Sequence, residues 1–197
     1  MQKNLYLNQK FTKFINNENF EFDRSKILKI LNSDLLEDAY KTISKWQKYQ
    51  PTPLESLNKL SKELELKNIF YKDESKRFGL KSFKALGGAY AVEKITKGRK
   101  DITVSTATAG NHGKSVAWGA KNLGLNCKIF ISENVSETRA EEMRNLNAEV
   151  IRVKGNYEDS LNFCKEESKK NNWEIIQDVA WPCLLYTSPS PRDETKS

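Results

Sequence analysis

The chain has 197 residues, 38% of them hydrophobic and 30% charged, which fits one globular domain or part of a larger one. A mean hydropathy of −0.71 suggests an incomplete core. The net charge of +7 comes from lysines interleaved with glutamates along the chain, a pattern of solvated faces rather than of a nucleic-acid-binding patch.

Residues 1–33 carry Phe11, Phe14 and Phe20 without a readable period. Over residues 35–49, Leu35, Leu36, Tyr40, Ile43, Trp46 and Tyr49 recur at near-helical spacing. Ser33 or Asp34 serves as the N-cap, and Pro51 and Pro53 stop the helix. Leu54, Leu57, Leu60, Leu64 and Leu66 predict a second helix, and residues 68–72 a short strand. The pattern then alternates. Helices are predicted over 83–95, 111–123, 136–146 (with Ser136 as N-cap) and 157–170, and strands over 102–105, 127–131, 149–153 and 173–177. Such alternation predicts an α/β fold, a mostly parallel twisted sheet with flanking helices. Ligands of these sheets bind outside the carboxyl ends of the strands.

Two segments and one acid fall at that edge. The stretch FGLKSFKALGGAYA (residues 78–91) places Lys84 at a helix start, before small and apolar residues that let a ligand come close. A lysine held rigidly and partly desolvated is a nucleophilic amine. By spacing alone, however, Lys84 is one of 33 basic residues, and a surface lysine is the commoner outcome. The stretch TATAGNHG (residues 106–113) joins a strand to a helix. Asn111 there offers both a donor and an acceptor, and the helix N-terminus favours an anionic oxygen. A Gly-Asn turn is equally an ordinary capped loop. His112 reads as a helix-start or packing residue rather than an acid/base. Asp178, just past a strand end and near Trp181, is expected to have a raised pKa useful for proton transfer.

Taken together, residues 71–91, ATAGNHGKSVAW (107–118), WEIIQDVAW (173–181) and YQPTPL (49–54) resemble the diaminopropionate ammonia-lyases. These belong to the fold-type-II enzymes that use pyridoxal 5'-phosphate, with threonine dehydratase and the tryptophan synthase β chain. The resemblance covers roughly residues 45–182. It implies that Lys84 binds the cofactor covalently and then moves the substrate's α-proton, that Asn111 bonds the cofactor's 3′-oxygen, and that Asp178 is an active-site acid. The substrate would be a small amino acid, and the parent enzyme a cytoplasmic homodimer with no nucleic-acid or membrane partner. One departure bears on the substrate. The lyases usually carry an aspartate directly before Gly-Asn-His, as a base for the D-isomer, and this chain has Ala109. Threonine-dehydratase-like enzymes have Ser-Ala-Gly-Asn-His there, so a threonine or serine dehydratase-like deaminase is the alternative. A non-functional truncated remnant is the other.

Residues 183–193, CLLYTSPSPRD, resemble a translated sequencing-library adapter, so 183–197 is expected to be a non-native tail. Residues 1–182 are then the N-terminal part of a truncated lyase. A small βαβ domain spans about 85–182, part of the large domain precedes it, and the glycine-rich phosphate loop is missing. Such a fragment is expected to be inactive by itself. Cys127, Cys164 and Cys183 form no C-x-x-C pair and His112 is the sole histidine, so no metal site is expected. No run is long and apolar enough for a membrane span, and no signal-peptide core opens the chain, leaving a cytoplasmic location as the expectation.

Overall fold

The computed structural model describes Ser25, Leu28 and residues 32–178 apart from 109. Phe11, Phe14, Phe20, Trp181, the tail at 183–197 and the placement of Ala109 lie outside the described residues.

Helix α1 (Ser33–Ile43) starts at Asn32, whose side chain accepts from the Leu35 N–H at 2.9 Å. The cap is therefore Asn32, not Ser33 or Asp34. The helix also stops short of 49. Lys45 and Trp46 bond back to Thr42 and Ile43, tightening the turn, and Lys48 takes a left-handed φ of 65°. The predicted second helix is corrected too. Leu54–Ser56 is strand β1, followed by a short helix α2 (Asn58–Glu63). Antiparallel pairing of Leu54, Glu55 and Ser56 with Lys72, Tyr71 and Phe70 of β2 (Phe70–Lys72) overrides the leucine spacing.

The rest is the alternating unit: α3 (Lys84–Thr96), β3 (Thr103–Ala107), α4 (Asn111–Leu123), β4 (Asn126–Ser132), α5 (Glu137–Arg144), β5 (Glu149–Val153), α6 (Tyr157–Asn171) and β6 (Glu174–Ile175). The four strands form a parallel sheet in the order β5-β4-β3-β6. The chain therefore steps outward from β3 to β5, then crosses back to lay β6 on the other side of β3. That reversal is a topological switch point, the place where ligands of such sheets bind.

Both faces of the sheet are covered, as parallel strands require. Val104, Ile129 and Ile131 are buried against Val92, Val116, Ala120 and Met143 from α3, α4 and α5. On the other face, Ala107 and Phe130 pack on Cys164, Leu161 and Trp173. Each fully buried side chain of this size stabilises by about 1.5–3 kcal/mol. Helix α6 is fixed at its start by a capping box between Asn156 and Asp159.

Candidate active site

Lys84 is the first residue of α3, and a braced loop delivers it there. The Arg77 guanidinium, 6% exposed, donates to Glu74 (2.7 and 2.9 Å), to the Gln50 carbonyl (2.9 Å) and to Thr52 Oγ1 (3.0 Å). Phe78 stacks on Trp118 at 4.6 Å and meets Trp46 at 5.8 Å. It does so with φ 48°, a strained value for an aromatic residue, held by these contacts. The Ser82 hydroxyl then accepts from the Lys84 N–H. The lysine's ε-amine, part exposed, donates to Asp178 Oδ2 at 2.5 Å.

Asp178 is held from the sheet. The Ile176 N–H donates to the Ser105 carbonyl at 2.8 Å. Gln177, fully buried, continues the pairing with its side chain: its amide accepts from the Ala107 N–H (3.0 Å) and donates to the Ala107 carbonyl (2.7 Å). The same amide accepts from Thr106 Oγ1 and donates to the Tyr157 hydroxyl. His112 donates from Nε2 to the Ile176 carbonyl at 2.9 Å, so the acceptor sets the tautomer. Its Nδ1 faces Asp178 Oδ2 at 3.9 Å.

The expected raised pKa of Asp178 is corrected. Burial pushes the carboxyl up, but neighbouring positive charge and the Lys84 hydrogen bond outweigh it and hold the group below its ordinary value. The largest lowering comes from the charge of a protonated His112, followed by the hydrogen bond and charge of Lys84. Burial lowers the histidine's own pKa despite the nearby carboxylate. Asp178 is thus a carboxylate while Lys84 is charged.

Asn111 is exposed at the first residue of α4, next to the buried His112. Gly110 precedes it and brings no capping side chain; the Thr108 hydroxyl accepts from Gly110 N–H and Gly113 N–H instead. The structure therefore brings Lys84, Asp178 and the start of α4 to the switch point. The cavity of about 290 Å³ lined by Trp46, Glu93 and Trp118 is separate from it and contains neither Lys84 nor Asp178. Sequence reasoning saw Arg77 only as part of the motif before Lys84 and gave neither it nor Gln177 a role. Each is a polar residue buried beside a candidate site residue, and a lone Gln in the apolar run before Asp178 was the available signal. Among the described residues, no group of three or more His, Cys, Asp or Glu could hold a metal, and no helix is long and apolar enough to cross a membrane.

The profile of the pyridoxal-phosphate dependent enzyme family matches residues 45–183. The chain is 39% identical over 151 residues to the diaminopropionate ammonia-lyase of Escherichia coli (strain K12), covering 68% of this chain and 38% of that protein. It is 34% identical over 137 residues to the biosynthetic L-threonine dehydratase of Haemophilus influenzae, covering 69% of this chain and 26% of the other. The crystal structure of the apo form of the Escherichia coli diaminopropionate ammonia lyase superposes with a TM-score of 0.74 at 36% identity, over 80% of this chain and 46% of that one. The chain thus spans less than half the length of these relatives.

Proposed function

The chain belongs to the pyridoxal-phosphate-dependent enzyme family, and from that premise we propose that its parent protein is an ammonia-lyase converting 2,3-diaminopropionate to pyruvate and ammonia. The observation that carries this reading is the 2.5 Å contact between Lys84 and Asp178, which joins two separate segments at the switch point. We assign residues 1–182 to the N-terminal part of that enzyme, with a smaller βαβ unit over about 85–182. We also expect a cytoplasmic homodimer.

The donor set fits the cofactor. A part-exposed primary amine stands beside an acid, and an uncapped asparagine heads a helix whose first N–H groups favour an anionic oxygen. Lys84 would hold the cofactor covalently and Asn111 would bond its ring oxygen. When bound, pyridoxal phosphate supplies an aldehyde that condenses with amines and a ring that withdraws electrons from the substrate's α-carbon.

The chain's own residues handle the protons. The Lys84 amine, once uncharged, removes the α-proton of the L-isomer. Asp178 changes character with it. While the lysine is charged, the hydrogen bond keeps the carboxylate ionised. When the amine gives up its proton, the carboxyl loses its nearest donor, and Asp178 at that place can pass a proton to the departing β-amino group. Two coupled groups thereby exchange the roles of base and acid.

Ala109 supports a second reading, a threonine- or serine-dehydratase-like deaminase, since the Ala-Gly-Asn-His order matches those enzymes. It also bears on stereochemistry. Alanine neither accepts a proton nor donates one, so the L-isomer should be strongly preferred over the D-isomer, and Ala109→Asp should raise D-isomer turnover. The test uses the full-length protein carrying residues 1–182. Borohydride reduction with pyridoxal phosphate, followed by peptide mapping, should label Lys84; a label on another lysine refutes the assignment. Pyruvate from diaminopropionate supports the lyase, and 2-oxobutanoate from threonine as the main product supports the dehydratase.

A further inference from the structure

Two main-chain groups of α3 are joined through a side chain of α4. The Ser115 hydroxyl donates to the carbonyl of Lys84 at 2.7 Å and accepts from the N–H of Ala89 at 3.1 Å. These groups are five residues apart, where the α-helical bond spans four. The hydroxyl therefore helps set the width of the first turn of α3, at the residue that bears the amine. Two glycines make the approach possible. A Cβ on Gly88 would lie 2.3 Å from Ser115 Oγ, and one on Gly119 would lie 2.8 Å from the Cα of Ala89. Ser115 is fully buried, so no bulk water replaces the hydroxyl if it is removed, and two main-chain groups lose this contact. Ser115 also sits one turn along α4 from Asn111, on the same side of that helix.

We propose that Ser115 is a positioning residue for Lys84. Its hydroxyl ties the start of the helix bearing Lys84 to the helix headed by Asn111, and so sets where the ε-amine stands against Asp178. The inference rests on the reading of Lys84 as the cofactor-binding lysine. Serine suits the place because one small group must both donate and accept in the space that Gly88 leaves open. Alanine would fill that space and satisfy neither partner.

The test compares Ser115→Ala with Ser168→Ala in the full-length protein loaded with pyridoxal phosphate. Ser168, in α6, is also a buried hydroxyl, bonded to Ser105 at 2.7 Å. Both variants should lower the thermal midpoint. Only Ser115→Ala should lower kcat, by about tenfold with KM within about twofold, as expected when a transition-state contact is misplaced. Only Ser115→Ala should also move the pH midpoint of the bound cofactor's absorbance. Unchanged kcat and absorbance midpoint in Ser115→Ala overturn the proposal, and so does an equal change in Ser168→Ala. If Ser115→Ala does not accumulate as folded protein, Ser115→Cys, close in size and a weak donor, carries the same expectations. A wild-type protein that takes no borohydride label at Lys84 overturns the reading of Lys84 itself, which separates the two failures.

Discussion

Residues 32–83 and residues 84–178 both carry large apolar side chains, yet they use them differently. Every buried apolar side chain among the described residues lies from Ala85 onward. Before it, Leu36, Tyr40, Leu54, Phe70 and Phe83 are each more than 60% exposed, and β1 and β2 bury no residue at all. The second region is a two-faced parallel sheet whose strands must be covered. The first is a small antiparallel ribbon and two helices, held by the Arg77 bonds and by the rings of Trp46, Phe78 and Trp118 rather than by a core. The candidate catalytic pair lies in the second region but is set from both: the braced loop leads into Lys84, and the packed sheet carries Asp178.

The largest effect should come from cutting into the packed region. Phe130→Ala should cost about 3–5 kcal/mol, the range for an aromatic removed from a close-packed interior, read from the urea midpoint. Phe70→Ala, on the exposed ribbon, should stay within about 0.5 kcal/mol. Equal costs would break the comparison. Arg77→Met should come next, at about 2 kcal/mol. It strands the Glu74 carboxylate, but the pair is only partly buried, so the loss falls short of the about 3–5 kcal/mol of a deep pair. Amide exchange should quicken over residues 50–83 and hold steady through β3 and β4. Loss of protection in both regions would mean that they are one cooperative unit.

This contrast also explains what could be read from the sequence. The bounds of α4 and β5 match their predicted ranges, because alternation of apolar strands with amphipathic helices leaves little choice there. Residues 54–57 misled because leucines at a spacing of three or four fit a helix, while the pairing of β1 with Phe70–Lys72 is a tertiary contact. Lys84, Asn111 and Asp178 were each visible as motif residues. Their meeting was not, since Lys84 and Asp178 are 94 positions apart. The direction of the Asp178 shift depends on His112 and Lys84 together, so local environment alone suggested the opposite sign. Gln177 was missed for a related reason: a glutamine that completes a strand's hydrogen bonds is easily taken for any polar residue at a strand end.

The smallest effect tests the packed region at the edge where it meets charge. His112 is buried, its Nε2 is committed to the Ile176 carbonyl, and burial depresses its pKa below 6.5. The groups facing it are Asp178, which favours a charged ring, and Lys84 beyond it, which opposes one. The sign follows from which state binds the proton. Below about pH 6.5 the unfolded chain protonates this histidine while the folded chain does not, until its own lower pKa is reached. Stability from this residue is therefore complete above that pH and falls as the pH drops, by at most about 1.4 kcal/mol per unit. His112→Gln keeps a donor for the Ile176 carbonyl but removes the titration. Between pH 7.5 and 5.5 the wild type should lose more stability than the variant, by about 1 kcal/mol. Carboxylates contribute little in that window, because their unfolded values lie near 4. Parallel pH profiles for the two proteins would show that the ring is not held neutral.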